Sequence, residues 1–145
     1  MNTRKRLRPA PRQSPKGEPI ARNMVRTAVV FSQDQSIIGL ICDGLTDVWR
    51  IDSCPEPNQA RLSLQRADIG IVVIDDLAID QPTCGWLLDQ VHRWAPDALV
   101  AYIASVHTPE LERRVRSRGV QYYLSRPVDR ERTLRVLHSF AVAHL

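Results

Sequence analysis

Ile69-Gly70-Ile71-Val72-Val73-Ile74-Asp75 is an unbroken apolar run closed by a carboxylate. Such a run, without polar alternation, marks a strand buried on both faces, as in a parallel sheet covered by helices. It would deliver Asp75 to the open carboxyl edge of the sheet, where ligands of α/β folds collect. A second acid, Asp76, follows at once.

Outward from this strand, short apolar runs alternate with helical periodicity. Thr27 to Phe31 reads as a first strand, and Asp34 to about Leu45 carries Ile37, Ile38, Leu40 and Ile41 at helical spacing. Asp47 to Asp52 alternates, as suits a sheet edge. Ser53-Cys54-Pro55-Glu56 has the form of a capping box opening a helix that runs to about Arg66. After Asp75 the spacing predicts a helix through Trp86, Leu87, Val91 and Trp94, then a strand from Ala98 to Ala104. Thr108 and Pro109 read as N-cap and first residue of the next helix, with Gly119 just past its end. Val120 to Leu124 is the fifth strand, and Asp129 caps a last helix bearing Leu134, Leu137, Phe140 and Ala141 on one face. Five such units predict one α/β domain over residues 25–145, a three-layer, doubly wound, five-stranded parallel sheet. The first strand leads into Ser32-Gln33-Asp34-Gln35, so neither a GxGxxG turn nor a Walker lysine motif is present to cradle a nucleotide phosphate.

At 145 residues, 43% hydrophobic and 25% charged, the chain has the composition of a soluble domain. No apolar stretch is long enough for a membrane helix, and the basic start has no apolar segment behind it. Cys42, Cys54 and Cys84 are odd in number and widely spaced. They point to free, buried or half-buried thiols in a reducing cytoplasm. The net charge of +4 is uneven: residues 1–30 hold eight bases against Glu18, a net +7, and the remainder twelve against fifteen acids, a net −3. Residues 1–24, basic and proline-rich, are expected to form a disordered tail. Such an arm could bind nucleic acid by counterion release, although it has no aromatic residue to stack on a base. Trp49, Trp86 and Trp94 are expected to pack between helices and sheet.

Gly119-Val120-Gln121-Tyr122-Tyr123-Leu124-Ser125-Arg126-Pro127 resembles the Gly-Ala-x-x-Tyr-Leu-x-Lys-Pro signature of response regulator receiver domains. The helix beginning Thr108-Pro109-Glu110-Leu111 and the third strand ending in Asp75 extend the resemblance over roughly residues 26–144. It implies a flavodoxin-like fold of strand order 2-1-3-4-5 and a signalling module rather than an enzyme. In that family the aspartate ending the third strand accepts a phosphoryl group, two acids after the first strand hold Mg²⁺, a hydroxyl ends the fourth strand and a lysine precedes the last proline. Carried over, the phosphoacceptor position falls on Asp75, the acidic pair on Ser32 and Gln33, the hydroxyl on Ala104, the lysine on Arg126 and the switch aromatic on Tyr123. A register shifted by one would bring Asp34 to the second acidic place, at the expense of the Ile37 spacing.

The substitutions alter the chemistry. Each lost carboxylate removes about 4 kcal/mol of Coulomb attraction per pair of unit charges at 4 Å and an effective dielectric of 20. Ser32 and Gln33 offer neutral oxygens in its place, so no Mg²⁺ or other cofactor is expected. Ala104 cannot hydrogen-bond a phosphoryl group. Arg126 is instead suited to an ion pair with Asp75 or Asp76, because a guanidinium matches a carboxylate bidentately. These features predict a degenerate pseudo-receiver that regulates by binding protein, with a homodimer as one form. Its contact face would run from the fourth helix to the fifth, through Arg113, Arg116, Tyr123 and Arg130. Two other readings stand beside it: a working phosphoacceptor at Asp75, and a nucleic-acid-associated protein acting through residues 1–24.

Overall fold

Five parallel strands, each followed by a helix, stand in the order β2-β1-β3-β4-β5. The computed structural model describes residues 26–45 and 48–143. Its elements are β1 (Arg26–Phe31), α1 (Gln35–Gly44), β2 (Trp49–Cys54), α2 (Pro57–Leu64), β3 (Ile69–Asp75), α3 (Gln81–Trp94), β4 (Leu99–Ala104), α4 (Pro109–Ser117), β5 (Tyr122–Ser125) and α5 (Arg130–Ala143). The doubly wound parallel sheet is what the alternation of strands and helices predicts, and its order is the flavodoxin-like one that the resemblance implies. The segment 1–24 and the expected start of β2 at Asp47 lie outside the described residues.

β3 is central, and all seven of its residues are buried. Its two-residue period divides the core. Ile71 and Val73 pack toward α1 and α5 with Ile37, Ile41, Leu137 and Phe140. Val72 and Ile74 pack toward α2, α3 and α4 with Leu64, Leu87, Val91, Leu111 and Val115. Each fully buried aliphatic side chain contributes roughly 1.5–3 kcal/mol relative to exposure, so both helix layers are held mainly by this strand and its neighbours. The same parity sends Asp75 to the α1/α5 face and Asp76 to the other.

The caps follow local chemistry except at α2. Thr108 accepts from the Leu111 N–H at 3.0 Å, and Asp129 from the Arg132 N–H at 3.1 Å. Gly119 has φ of +93°, and the His92 ring lies 2.7 Å from where a Cβ would stand, so a larger residue is excluded twice. At α2 the expected capping box at Ser53 is replaced by one three residues later. β2 continues to Cys54, paired with Phe31, and Glu56 becomes the N-cap with its N–H on Gln59 Oε1 at 3.3 Å. Ladder pairing with β1 outweighs the local Ser-x-x-Glu pattern.

Trp49 is buried, its ring over Gly70, and Trp86 is half-buried against the core. Trp94 departs from expectation at 39% exposed: its indole N–H bonds Gln90 and the Arg93 guanidinium lies 5.1 Å above its ring. Cys54 and Cys84 are buried, but Cys42 is exposed on the outer side of α1. Among the described residues no helix is long and apolar enough to cross a membrane.

Candidate functional site: a carboxylate closed by a guanidinium

The carboxyl ends of β1, β3 and β5 converge on Asp75, whose side chain is wholly buried. Arg126, in the turn after β5, reaches it with both terminal nitrogens: Nη1 donates to Oδ1 at 2.6 Å and Nη2 to Oδ2 at 2.7 Å. Its backbone N–H is fixed on the Ala104 carbonyl at 3.0 Å, and the following Arg126–Pro127 peptide is cis. The Ser32 hydroxyl at the end of β1 donates to Asp75 Oδ2 at 2.7 Å, and the Leu77 N–H donates to Oδ1 at 3.1 Å. A carboxylate has about four lone-pair sites. Here four donors meet them, two on each oxygen.

The guanidinium is equally occupied. Nη2 also donates to Asp34 Oδ2 at 3.1 Å, and Nη1 to Ser105 Oγ at 3.4 Å, giving each terminal nitrogen two acceptors for its two protons. Asp34 is the N-cap of α1, its Oδ1 accepting from the Ser36 N–H and hydroxyl at 3.0 and 2.7 Å. Those bonds and the one from Arg126 hold the Asp34 carboxyl below the usual carboxylate range. Hydrogen bonds from Arg126 to Asp75, and then to Asp34, keep the guanidinium protonated against its burial.

The residues that sequence matching placed around Asp75 divide into those that reach it and those that do not. Ser32 and Arg126 touch it. Gln33 turns away, its amide on the Pro55 carbonyl at 3.3 Å, so Asp34 takes its place in the cluster although Ile37 keeps its core position. Ala104 is fully buried and the hydroxyl near the guanidinium is that of Ser105, one residue on. Asp76 lies outside the cluster: strand parity aims it at Tyr102, whose hydroxyl donates to Oδ2 at 2.7 Å, while the Ser105 N–H donates to Oδ1 at 2.7 Å. Gln81 adds a longer bond at 3.3 Å. Burial, reinforced by the hydrogen bond to Asp76, pushes the Tyr102 hydroxyl well above its ordinary range, and burial drives the Cys84 thiol up to about 11.

On the expected contact face, Arg113 is exposed beside Glu110, and Arg116 is held by Glu112 and the Gln121 carbonyl. Tyr123 is packed inward, parallel to Tyr102 with ring centroids 6.1 Å apart and its hydroxyl 2.9 Å from His107 Nδ1. Tyr122 is the half-buried aromatic of that strand, against Phe140. Arg130 pairs with Asp43 of α1 and so lines the groove between α1 and α5 instead.

A Mg²⁺ ion at Asp75, as the resemblance implies, would need oxygen donors free for near-octahedral coordination. Both oxygens of Asp75 are saturated, both of Asp34 are engaged, and the guanidinium stands against each. These residues do not fit the ion. Among the described residues no group of three or more His, Cys, Asp or Glu is placed to hold a metal.

Neither a family model nor a curated protein matches the sequence. Solved structures do match the fold. A response regulator from Thermotoga maritima has a TM-score of 0.69 at 17% identity, over 81% of this chain and 98% of its own. A CheY-like response regulator receiver domain from Methanospirillum hungatei gives 0.68 at 12%, over 82% and 95%. HP1043, an orphan response regulator of H. pylori, gives 0.67 at 12%, over 80% and 96%. The fold is therefore that of a response regulator receiver domain; identities this low establish the fold alone.

Proposed function

We propose that the chain is a regulatory module of two-component-type signalling that acts by protein–protein contact, without phosphorylation of Asp75. The observation that carries this reading is the saturation of the Asp75 carboxylate. Attack on a phosphoryl donor needs an oxygen lone pair facing the incoming phosphorus, and in-line transfer needs positioned charge around it. Each lone pair of Asp75 is already taken, half of them by a guanidinium that Asp34 also holds. The likeness of the fold to response regulators supports the signalling setting. For the contact, the α4–β5–α5 face has the edge strand β5, the exposed Arg113 and a groove lined by Leu99, Tyr122, Phe140 and Ala143. An exposed strand edge with an aromatic beside it suits a protein partner, a second copy included.

The test is incubation of the chain with a small phosphodonor and Mg²⁺, followed by intact mass. No phosphoryl adduct is expected. An adduct on the wild type that Asp75→Asn abolishes would overturn the proposal in favour of a working phosphoacceptor.

A further inference from the structure

Arg126 does more at this site than neutralise one acid. It spans two: the guanidinium binds the Asp75 carboxylate at 2.6 and 2.7 Å and that of Asp34 at 3.1 Å. Asp34 belongs to the β1–α1 turn and Asp75 to the end of β3, while Arg126 itself arrives from the β5–α5 turn. Two carboxylates facing one another across a mostly buried pocket repel strongly unless a positive charge lies between them. We infer that the Arg126 guanidinium is the permanent cation of this site, tethered by the chain where a dissociable divalent ion would otherwise have to sit. The inference rests on the phosphorylation-independent reading and deepens it, because a site that carries its own cation has no use for an added one.

The geometry supports substitution for an ion rather than simple pairing. Side-chain exposure is 19% for Arg126, 0% for Asp75 and 25% for Asp34, so the charge is largely withdrawn from water, where an unpaired carboxylate would be costly. The other two groups around Asp75, Ser32 Oγ and the Leu77 N–H, are neutral and cannot supply the missing charge. The fork orders the pocket as a metal would, with donors in fixed directions toward three loops. Unlike a metal, it cannot be removed by chelation or diluted away. Taking the guanidinium out should leave Asp34 and Asp75 as an acidic pair that needs a cation from solution.

Thermal melting of the full chain tests this in EDTA, in millimolar MgCl₂, and in NaCl matched for ionic strength. The wild type should melt within about 1 °C in all three, whereas Arg126→Met should lose roughly 10 °C in EDTA and regain several degrees with Mg²⁺ but not with NaCl. The double variant Asp75→Asn/Arg126→Met, which removes the facing charge as well, should fold and show no response to Mg²⁺. That arm and titration calorimetry of the wild type with Mg²⁺, expected to give no binding heat, decide the matter if the single variant does not fold. A Mg²⁺-specific rise in the wild-type melting temperature overturns the inference, as does a folded Arg126→Met indifferent to Mg²⁺. Either result without a phosphoryl adduct leaves the proposed function standing; an adduct on the wild type sinks that function whatever the melts give.

Discussion

Asp75 and Asp76 are consecutive, both buried, and the protein stabilises them by opposite means. Asp75, on the α1/α5 face, is met by a full positive charge and two neutral donors. Among the described residues, Asp76, on the α3/α4 face, accepts from neutral groups: the Tyr102 hydroxyl, the Gln81 amide and the Ser105 N–H. Ser105 touches both systems, with its N–H on Asp76 and its hydroxyl near Arg126. The contrast separates two uses of a buried carboxylate. Neutral donors accommodate Asp76 within neighbouring elements, so it serves as an anchor for β4 and α3. The guanidinium draws in a third, distant element, so Asp75 becomes part of a joint between β1, β3 and β5.

Removing each partner in turn probes that contrast. Arg126→Met leaves a buried charge uncompensated and should cost about 3–5 kcal/mol of stability in urea unfolding. A loss of only about 1–3 kcal/mol, the range for removing one neutral donor, would mean that Asp75 behaves like Asp76. Tyr102→Phe removes one neutral donor from Asp76 and should cost about 1–3 kcal/mol, with a smaller salt dependence than the Arg126 variant. The smallest effect is expected at the outer member of the cluster. Because the folded-state pKa of Asp34 is depressed, by Ser36 first and Arg126 second, its contribution is present above the ordinary carboxylate value near 4 and is lost as pH falls through the folded value. Ser36→Ala should therefore raise the Asp34 pKa toward that ordinary value, shrink its contribution and complete its share of the acid loss at higher pH. Carbon-detected NMR titration of Asp34 reads this directly, and an unmoved curve would assign the depression to Arg126 and the Ser36 backbone N–H instead.

The fold was legible because its signals are redundant. Continuous β-branched strands, a Thr-Pro start at α4 and Gly119 at its end each point to the same alternation, and no single misreading disturbs it. The error at α2 shows where local rules yield: Ser53 has the chemistry of a cap, but its backbone is committed to pairing with Val30. The site was less legible, because side-chain direction depends on a turn rather than on a pattern. By spacing, Asp34 reaches the second acidic place only at the expense of Ile37, yet an N-cap carboxylate can lean back over the sheet edge while Ile37, three residues on, enters the core. Asp76 stands next to Asp75 as an alternative partner for Arg126, but strand parity carries it to the opposite face of the sheet. A tyrosine inside an otherwise apolar strand was its visible clue, since a buried phenol needs a partner. Arg130 was placed by helix number alone, and only its pairing with Asp43 reveals which side of α5 it occupies.

Arg126 lies 51 residues from Asp75 and 92 from Asp34. Contacts so distant along the chain carry a large loop-closure cost and are expected to form late in folding. Interactions absent from the folding transition state act mainly on the rate of leaving the native state. The guanidinium thus sets a lifetime: variants at Arg126 should steepen the loss of folded molecules with time while the refolding rate stays nearly constant, a separation that the two arms of a chevron plot resolve.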